Sequence, residues 1–324
     1  MKIIRPIRPD DYEGFEKLAF YSTVGITSLP KDPKLLHGKI SQSMEAFDEK
    51  KVDPHHHLYI FVMEDLETKA ILGTCGIRAR TAIDEPLISY RIEDDPIQVL
   101  CPIEHHDGPS EVCGLFLNPE FRKSHLGHLL SYSRFLFMAS HPSRFTEIVF
   151  AEMRGYFDEN NECVFWNGVG RHFHDVDFLK VNDQRIRSKE FIRDILPKYP
   201  IYSDLLPQEV QNVIGKTHPH TEPALNLLLK IGFSMTDEVD VIDAGPKIVA
   251  PLNELIPVKE SEVKPVSNIS ADLPEGRWII ANTKIDYRAS VGQLQETADG
   301  VAVQENMLQA LEIETGDHVR YFKL

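Results

Sequence analysis

Residues 111–137, EVCGLFLNPEFRKSHLGHLLSYSRFLF, carry the side chains whose types and spacing are best suited to chemistry. Arg122 opens a short basic loop that runs to His128. The helix that follows has Leu126, Leu129, Leu130, Leu136 and Phe137 on its apolar side. Ahead of the loop, Val112 to Leu117 is an apolar run that reads as a buried strand, and Asn118-Pro119 ends it. A strand, a basic loop and a helix start can together hold a pyrophosphate. Loop and helix N–H groups point at the anion, and an arginine adds a full charge in bidentate geometry. Gly127 lets the backbone come close to such a ligand at the start of the helix.

The elements that must position this loop alternate between strand and helix. Residues 2–7 read as a strand, and a helix follows from Asp10 or Asp11 to about Ser22. Residues 33–50 have the pattern of an amphipathic helix. Segments 57–65 and 70–82 read as an antiparallel pair, and 88–100 adds further strand. Beyond the motif, 147–161 is a strand with an acidic exit loop, and 163–215 is a mixed, partly helical insertion. A helix at 220–233 and a strand at 235–245 complete a main domain over 1–250. Thr221 and Pro223 suit the start of that last helix. Residues 251–276 read as an extended linker, and the alternating runs of 277–324 suit a small β-barrel-like subdomain. The class is therefore α/β, with a mixed sheet.

Bulk properties narrow the function. The chain has 324 residues, 42% hydrophobic and 26% charged, enough for a sizeable core. Its net charge of −15 argues against nucleic acid as a partner, since a binder needs basic surface to replace counterions. Cys75, Cys101, Cys113 and Cys163 show no paired spacing, which fits free thiols and a cytoplasmic location. No signal peptide and no membrane span are expected, since no run of 18 apolar residues occurs. The consecutive His55-His56-His57 lack the spacing of a metal ligand set, so no metal is expected.

The loop resembles the acyl-CoA-binding motif of GNAT acyltransferases, Arg/Gln-x-x-Gly-x-Gly/Ala. His125 stands in place of the first glycine, at a position where φ > 0 would strain a histidine. Six co-linear segments extend the likeness: GITSLP (25–30), EVCGLFLNPEFR (111–122), LLSYSRFLFMA (129–139), AEMRG (151–155), LPKYPIY (196–202) and QEVQNVIGKTHPHTEPA (208–224). Together they resemble the arginine N-succinyltransferase family over most of 1–250. The resemblance implies a GNAT-like acyl-CoA N-acyltransferase core and no permanently bound cofactor. It also implies transfer of succinyl from succinyl-CoA, as co-substrate, to the α-amine of L-arginine, in a homo- or hetero-oligomer.

By the same resemblance, His218 in THPHTEPA is the proton donor and Leu115 binds succinyl-CoA, where its backbone can pair with the pantetheine amides as an added strand would. A donor is needed because the leaving group is a thiol, and a histidine titrates near neutrality. His220 is its rival. The attacking amine must lose a proton, and Glu111 occupies a place where GNAT enzymes often keep a carboxylate base. Glu152, Asp158 and Glu159 can meet a guanidinium, and Arg154 can meet the succinyl carboxylate. Two other readings stay open: a relative with another acyl-CoA or a basic amine such as ornithine, and a non-catalytic acyl-CoA-binding partner subunit.

Overall fold

A computed structural model describes residues 1–22, 29–48, 56–94, 96–122, 125–187 and 190–324. The expected features at 25–28, 49–50, His55 and Lys123-Ser124 lie outside these. In chain order the main elements are β1 (Lys2–Pro6), α1 (Tyr12–Tyr21), α2 (Pro33–Ala46), β2 (Leu58–Asp65), β3 (Ile71–Arg78), β4 (Leu87–Asp94), β5 (Gln98–His105) and β6 (Ser110–Leu117). Next come α3 (Leu126–Ser140), β7 (Ile148–Glu152), α4 (Arg171–Phe173), α5 (Phe178–Arg187), α6 (Glu190–Ile195), β8 (Ile201–Tyr202), α7 (Gln208–Gln211) and α8 (Glu222–Lys230). The chain ends with β9 (Ser234–Asp240), β10 (Pro246–Pro251), α9 (Ile256–Lys259), β11 (Glu262–Ile269), β12 (Trp278–Asn282), β13 (Ala289–Gly292), β14 (Leu294–Thr297), β15 (Gly300–Val303), α10 (Glu305–Leu311) and β16 (His318–Lys323).

Strand β2 shows why the layers form. Successive side chains of a strand point to opposite faces. Tyr59, Phe61 and Met63 therefore pack with α3, while Leu58, Ile60 and Val62 pack with Phe15, Leu18, Leu36 and Ile40 of α1 and α2. Helix α2 starts where expected because the Asp32 side chain accepts from Lys34 N–H at 2.8 Å and Pro33 fills its first position. Helix α3 is buried on every side from Leu129 to Met138, as suits an element wedged between layers. A third cluster, around Tyr90, Phe165, Trp166 and Val241, fixes the insertion onto the other wing of the sheet.

The strands run in the order β14-β15-β11-β16-β12-β13-β1-β2-β3-β6-β7-β10-β9-β4-β5-β8. This is the α/β core with a mixed sheet that was expected, extended by a small C-terminal β subdomain. The two parts share one sheet, because β1 pairs with β2 on one side and β13 on the other. Residues 251–276 differ from the expected linker: α9 occupies part of them, and β11 pairs with β16 and β15. Proline and lysine in β11 made that strand hard to read. Residues 305–311 form a helix rather than the expected strand end, its buried Met307, Leu308 and Leu311 following helical spacing.

Tyr287 ties the two parts together. Its hydroxyl donates to Ser133 O at 2.8 Å, and its ring packs on Phe61 and Phe137. Tyr287→Phe should cost about 1 kcal/mol and Tyr287→Ala about 3–5 kcal/mol in urea unfolding. Both parts should still unfold in one transition.

Candidate active site

Strands β6 and β7 are parallel but pair only at Ser110–Val149 and Glu111–Phe150. Beyond that they part, although β7 stays paired with β10 through Glu152 and β6 stays paired with β3 through Leu117. The part of β6 that borders the split is bent. Cys113 to Phe116 oppose only Gly76 to Thr74, so β6 carries one extra residue. Gly114, at φ 60°, takes up that bulge in a region open to glycine. A cavity lies against the split on each side. One, of about 140 Å³, is bounded by Leu115, Arg134, Thr221, Ala224 and Leu228. The other, of about 210 Å³, is bounded by Lys39, Arg78, Thr81, Leu87 and Ile192. Both reach Glu111, Cys113, Gly114, Glu152 and Arg185, so the two meet at the split.

Of the donor-side residues expected from the sequence, Leu115 lines one of these cavities, and Arg122 and Gly127 line neither. Leu115 is half-buried against the α3 core and lines the smaller cavity. Arg122 folds back, its Nε donating to Leu117 O at 3.0 Å and its guanidinium lying 5.5 Å from the Phe116 ring centre. Gly127 faces open space, where an added Cβ would meet nothing within 4 Å. Among the described residues no side chain caps the start of α3, a helix end whose N–H groups suit an anion. His125 sits at φ −66°, as the residue before the helix. The strain expected from a histidine in a glycine slot therefore does not arise.

His218 closes the far end of the split. Its N–H donates to Arg154 O at 2.9 Å, and Thr217 bridges Gly155, so this segment continues the pairing of β7. Its ring is buried near Phe157. Nδ1 accepts the N–H of His220 at 3.0 Å, which leaves the proton on Nε2. Burial, then Arg154 and His220, lower the imidazole to about 4. His218 is thus neutral at pH 7, below the titration range expected of it. It does not line either cavity, but Thr221 at the same turn does. The rival His220 is exposed.

The two carboxylates at the split differ. Glu111 receives Arg78 Nε at 3.3 Å from the neighbouring strand. Glu152 has Arg185 Nη2 at 3.5 Å, while the other end of that guanidinium holds Asp240 at 2.6 Å. Burial raises the Glu152 carboxyl well above the usual carboxylate range. Asp240 and Glu111 push the same way, and Arg185 opposes them. Asp243 is also raised by burial and by Asp240, against the N–H groups of Gly155 and Gly245 that it accepts at 2.9 Å. Burial lowers Arg154 to about 10, and its guanidinium stacks on Phe157. Asp158 and Glu159 line neither cavity.

Sequence reasoning missed Gly114, Lys39, Arg78 and Arg185. A glycine inside an apolar strand run is a bulge signal and was available for Gly114. The three cations sit on distant elements and carry no motif.

Comparison with known proteins gives a consistent result. A family model described as the arginine N-succinyltransferase beta subunit matches residues 2–256, and one for that subunit's C-terminal domain matches 262–323. The arginine N-succinyltransferase of Enterobacter sp. (strain 638) is 33% identical over 340 residues, covering 100% of this chain and 98% of its own. That of Escherichia coli (strain 55989 / EAEC) is 32% identical with the same coverage. In structure, the chain is similar to the arginine/ornithine succinyltransferase subunit AI from Pseudomonas aeruginosa. The TM-score is 0.89 at 29% identity, covering 100% of this chain and 98% of that one.

The bulge generates a test. Gly114→Ala forces a side chain into positive φ and should cost about 1–2 kcal/mol in urea unfolding. It should also weaken CoA binding in calorimetry, because it moves the strand edge beside Leu115.

Proposed function

The chain belongs to the arginine N-succinyltransferase family, and from that premise we propose that it moves succinyl from succinyl-CoA to the α-amine of L-arginine. The observation that carries the reading is the split between β6 and β7, with one cavity on each side meeting at Glu152. A CoA thioester enters on the α3 side. Its pantetheine lies along the free edge near Leu115, and its pyrophosphate rests on Arg122 and the backbone at Gly127. The acceptor enters from the larger cavity. The amine attacks the thioester carbonyl directly, the C–S bond breaks, and CoA leaves as a thiolate that takes up one proton.

Glu111 and Glu152 share the base side of this reaction. Glu111 is held by Arg78, so its part is to fix that guanidinium. Glu152, raised by burial, is the carboxylate matched to an α-amine that is largely protonated at pH 7. His218 serves the leaving sulfur. Being neutral, it acts through its Nε2–H, as a hydrogen-bond donor to the developing thiolate rather than a stored proton.

Cytoplasmic location and assembly into a homo- or hetero-oligomer belong to the same proposal. All four cysteines are free, and no described helix is long and apolar enough to cross a membrane. Tyr199 and Leu205, 80% and 84% exposed beside the edge strand β8, leave apolar surface for a partner subunit.

The direct test is thiol release from succinyl-CoA with L-arginine, and no release at millimolar substrate overturns the reading. Ornithine and other acyl-CoAs in the same assay separate the alternative substrates. Glu152→Gln should lower kcat by about 10²–10⁴-fold. Its carboxylate is ionised only above its raised pKa, so wild-type kcat/KM should rise with pH towards neutrality and then level. The variant should lose that limb. His218→Ala should lower kcat by about 10²–10³-fold and keep the limb, because His218 does not titrate there.

A further inference from the structure

Lys39 is the cation in the larger cavity that the proposed reaction has not used. It lies on α2 between Leu36 and Ile40, which are buried, so its side chain leaves the helix along the face that packs on the sheet. It is half-buried and lines the cavity with Arg78, Glu111, Glu152 and Arg185. Each carboxylate of that set is already engaged by an arginine, Glu111 by Arg78 at 3.3 Å and Glu152 by Arg185 at 3.5 Å. Among the described residues Lys39 has no ion pair and no hydrogen bond from its ammonium. The charged lining is three cations against two carboxylates, a balance of one positive charge, and it belongs to Lys39. Burial and then the neighbouring Arg78 both disfavour its charged form. A half-buried ammonium facing a guanidinium, with the nearby Glu111 already held by Arg78, is an arrangement that a bound anion would relieve.

We propose that Lys39, backed by Arg78, is the carboxylate-binding point of the larger cavity. Its ligand is the carboxylate of one of the two reacting molecules, either the free end of the succinyl group or the α-carboxylate of the amino-acid acceptor. Both have the same chemistry, and the reacting ends of both molecules meet at the split on which this cavity opens. The inference rests on the succinyl transfer proposed above and names what selects its substrates. An acyl group with no terminal carboxylate, or an amine with none, would leave Lys39 unpaired.

The experiment compares substrates that differ only by that group. Wild type, Lys39→Met and Lys39→Arg are assayed with succinyl-CoA against butyryl-CoA, and with L-arginine against agmatine. Loss of a hydrogen bond to a charged partner predicts that Lys39→Met lowers one preference ratio by about 10–100-fold. A fall in the succinyl/butyryl ratio of kcat/KM assigns the donor carboxylate, and a fall in the arginine/agmatine ratio assigns the acceptor. Lys39→Arg should keep most of the preference. Equal losses on all substrates, or none, overturn the proposal. Calorimetric titration of the same four compounds gives a readout that needs no turnover. If wild type transfers nothing, the succinyl-transfer reading fails, while a carboxylate preference in binding that Lys39→Met removes still supports the site. No such preference in wild type rejects it. Urea midpoints exclude misfolding, since removing an unpartnered ammonium should not lower stability.

Discussion

An unpaired strand edge inside a protein costs free energy, so β6 and β7 can part only because other groups take over their backbone. The bulge at Gly114 turns the β6 edge out of register with β7. Arg134 of α3, fully buried, reaches across to Cys113 O at 3.5 Å and partly satisfies it. On the β7 side, the segment at Thr217 and His218 takes up Arg154 and Gly155. These substitutes occupy the ends of the split and leave its middle for a ligand backbone. A thioester whose pantetheine carries amide groups can supply the missing pairing, as peptides do at sheet edges. The same feature that weakens the sheet is therefore the basis of the proposed donor site.

The glycines near the split show how little room remains around it. A Cβ on Gly155 would come within 2.0 Å of Asp243 O, and one on Gly245 within 1.9 Å of Met153 O. The turn between β9 and β10 is thus pressed onto the exit of β7, and it carries Asp240 and Asp243 with it. Close packing excludes water, and exclusion raises both Glu152 and Asp243. Arg185, brought in by α5, is the charge that keeps this group of acids tolerable, through Asp240 first and Glu152 second. The insertion at 163–215 is therefore part of the site's electrostatics and not an appendage to the core.

Much of the donor side is legible in the sequence, because it is local. The strand, the loop and the helix of 111–137 lie within one stretch, and of the residues proposed from it Leu115 lines the smaller cavity while Arg122 and Gly127 stand at the loop and the helix start. His125 looks anomalous only while the loop is assumed to need a glycine conformation, and a backbone at φ −66° removes the difficulty. The acceptor side is not legible for the opposite reason. Lys39, Arg78, Glu152 and Arg185 come from α2, β3, β7 and α5, and no spacing rule connects them. The choice between Glu111 and Glu152 is also a tertiary matter. Both are acids at strand ends paired with an arginine, and what distinguishes Glu152 is the acidic neighbour Asp240, which shares its arginine and helps to raise its carboxyl. Helix α10 is hard to read because the apolar run GVAV just before it reads as a strand that continues into its first residues.

The C-terminal subdomain bears on the donor site through α3. Tyr287 holds the helix at Ser133 O, and Arg320 holds its end through Ala139 O and Ser140 Oγ. Arg320 also donates to Ser261, so β11 and β16 are fixed by the same side chain. A helix gripped at its middle and C-terminus cannot slide, and its free N-terminus stays aimed at the loop with Arg122. Because α3 also carries Arg134, any slack in that grip would reach Cys113 O and the bulge next to it. The small subdomain is thus a brace on the element that carries both the proposed anion-binding end and the strand-satisfying arginine. This gives a physical reason for its strands to join the main sheet at β1 instead of forming a separate body.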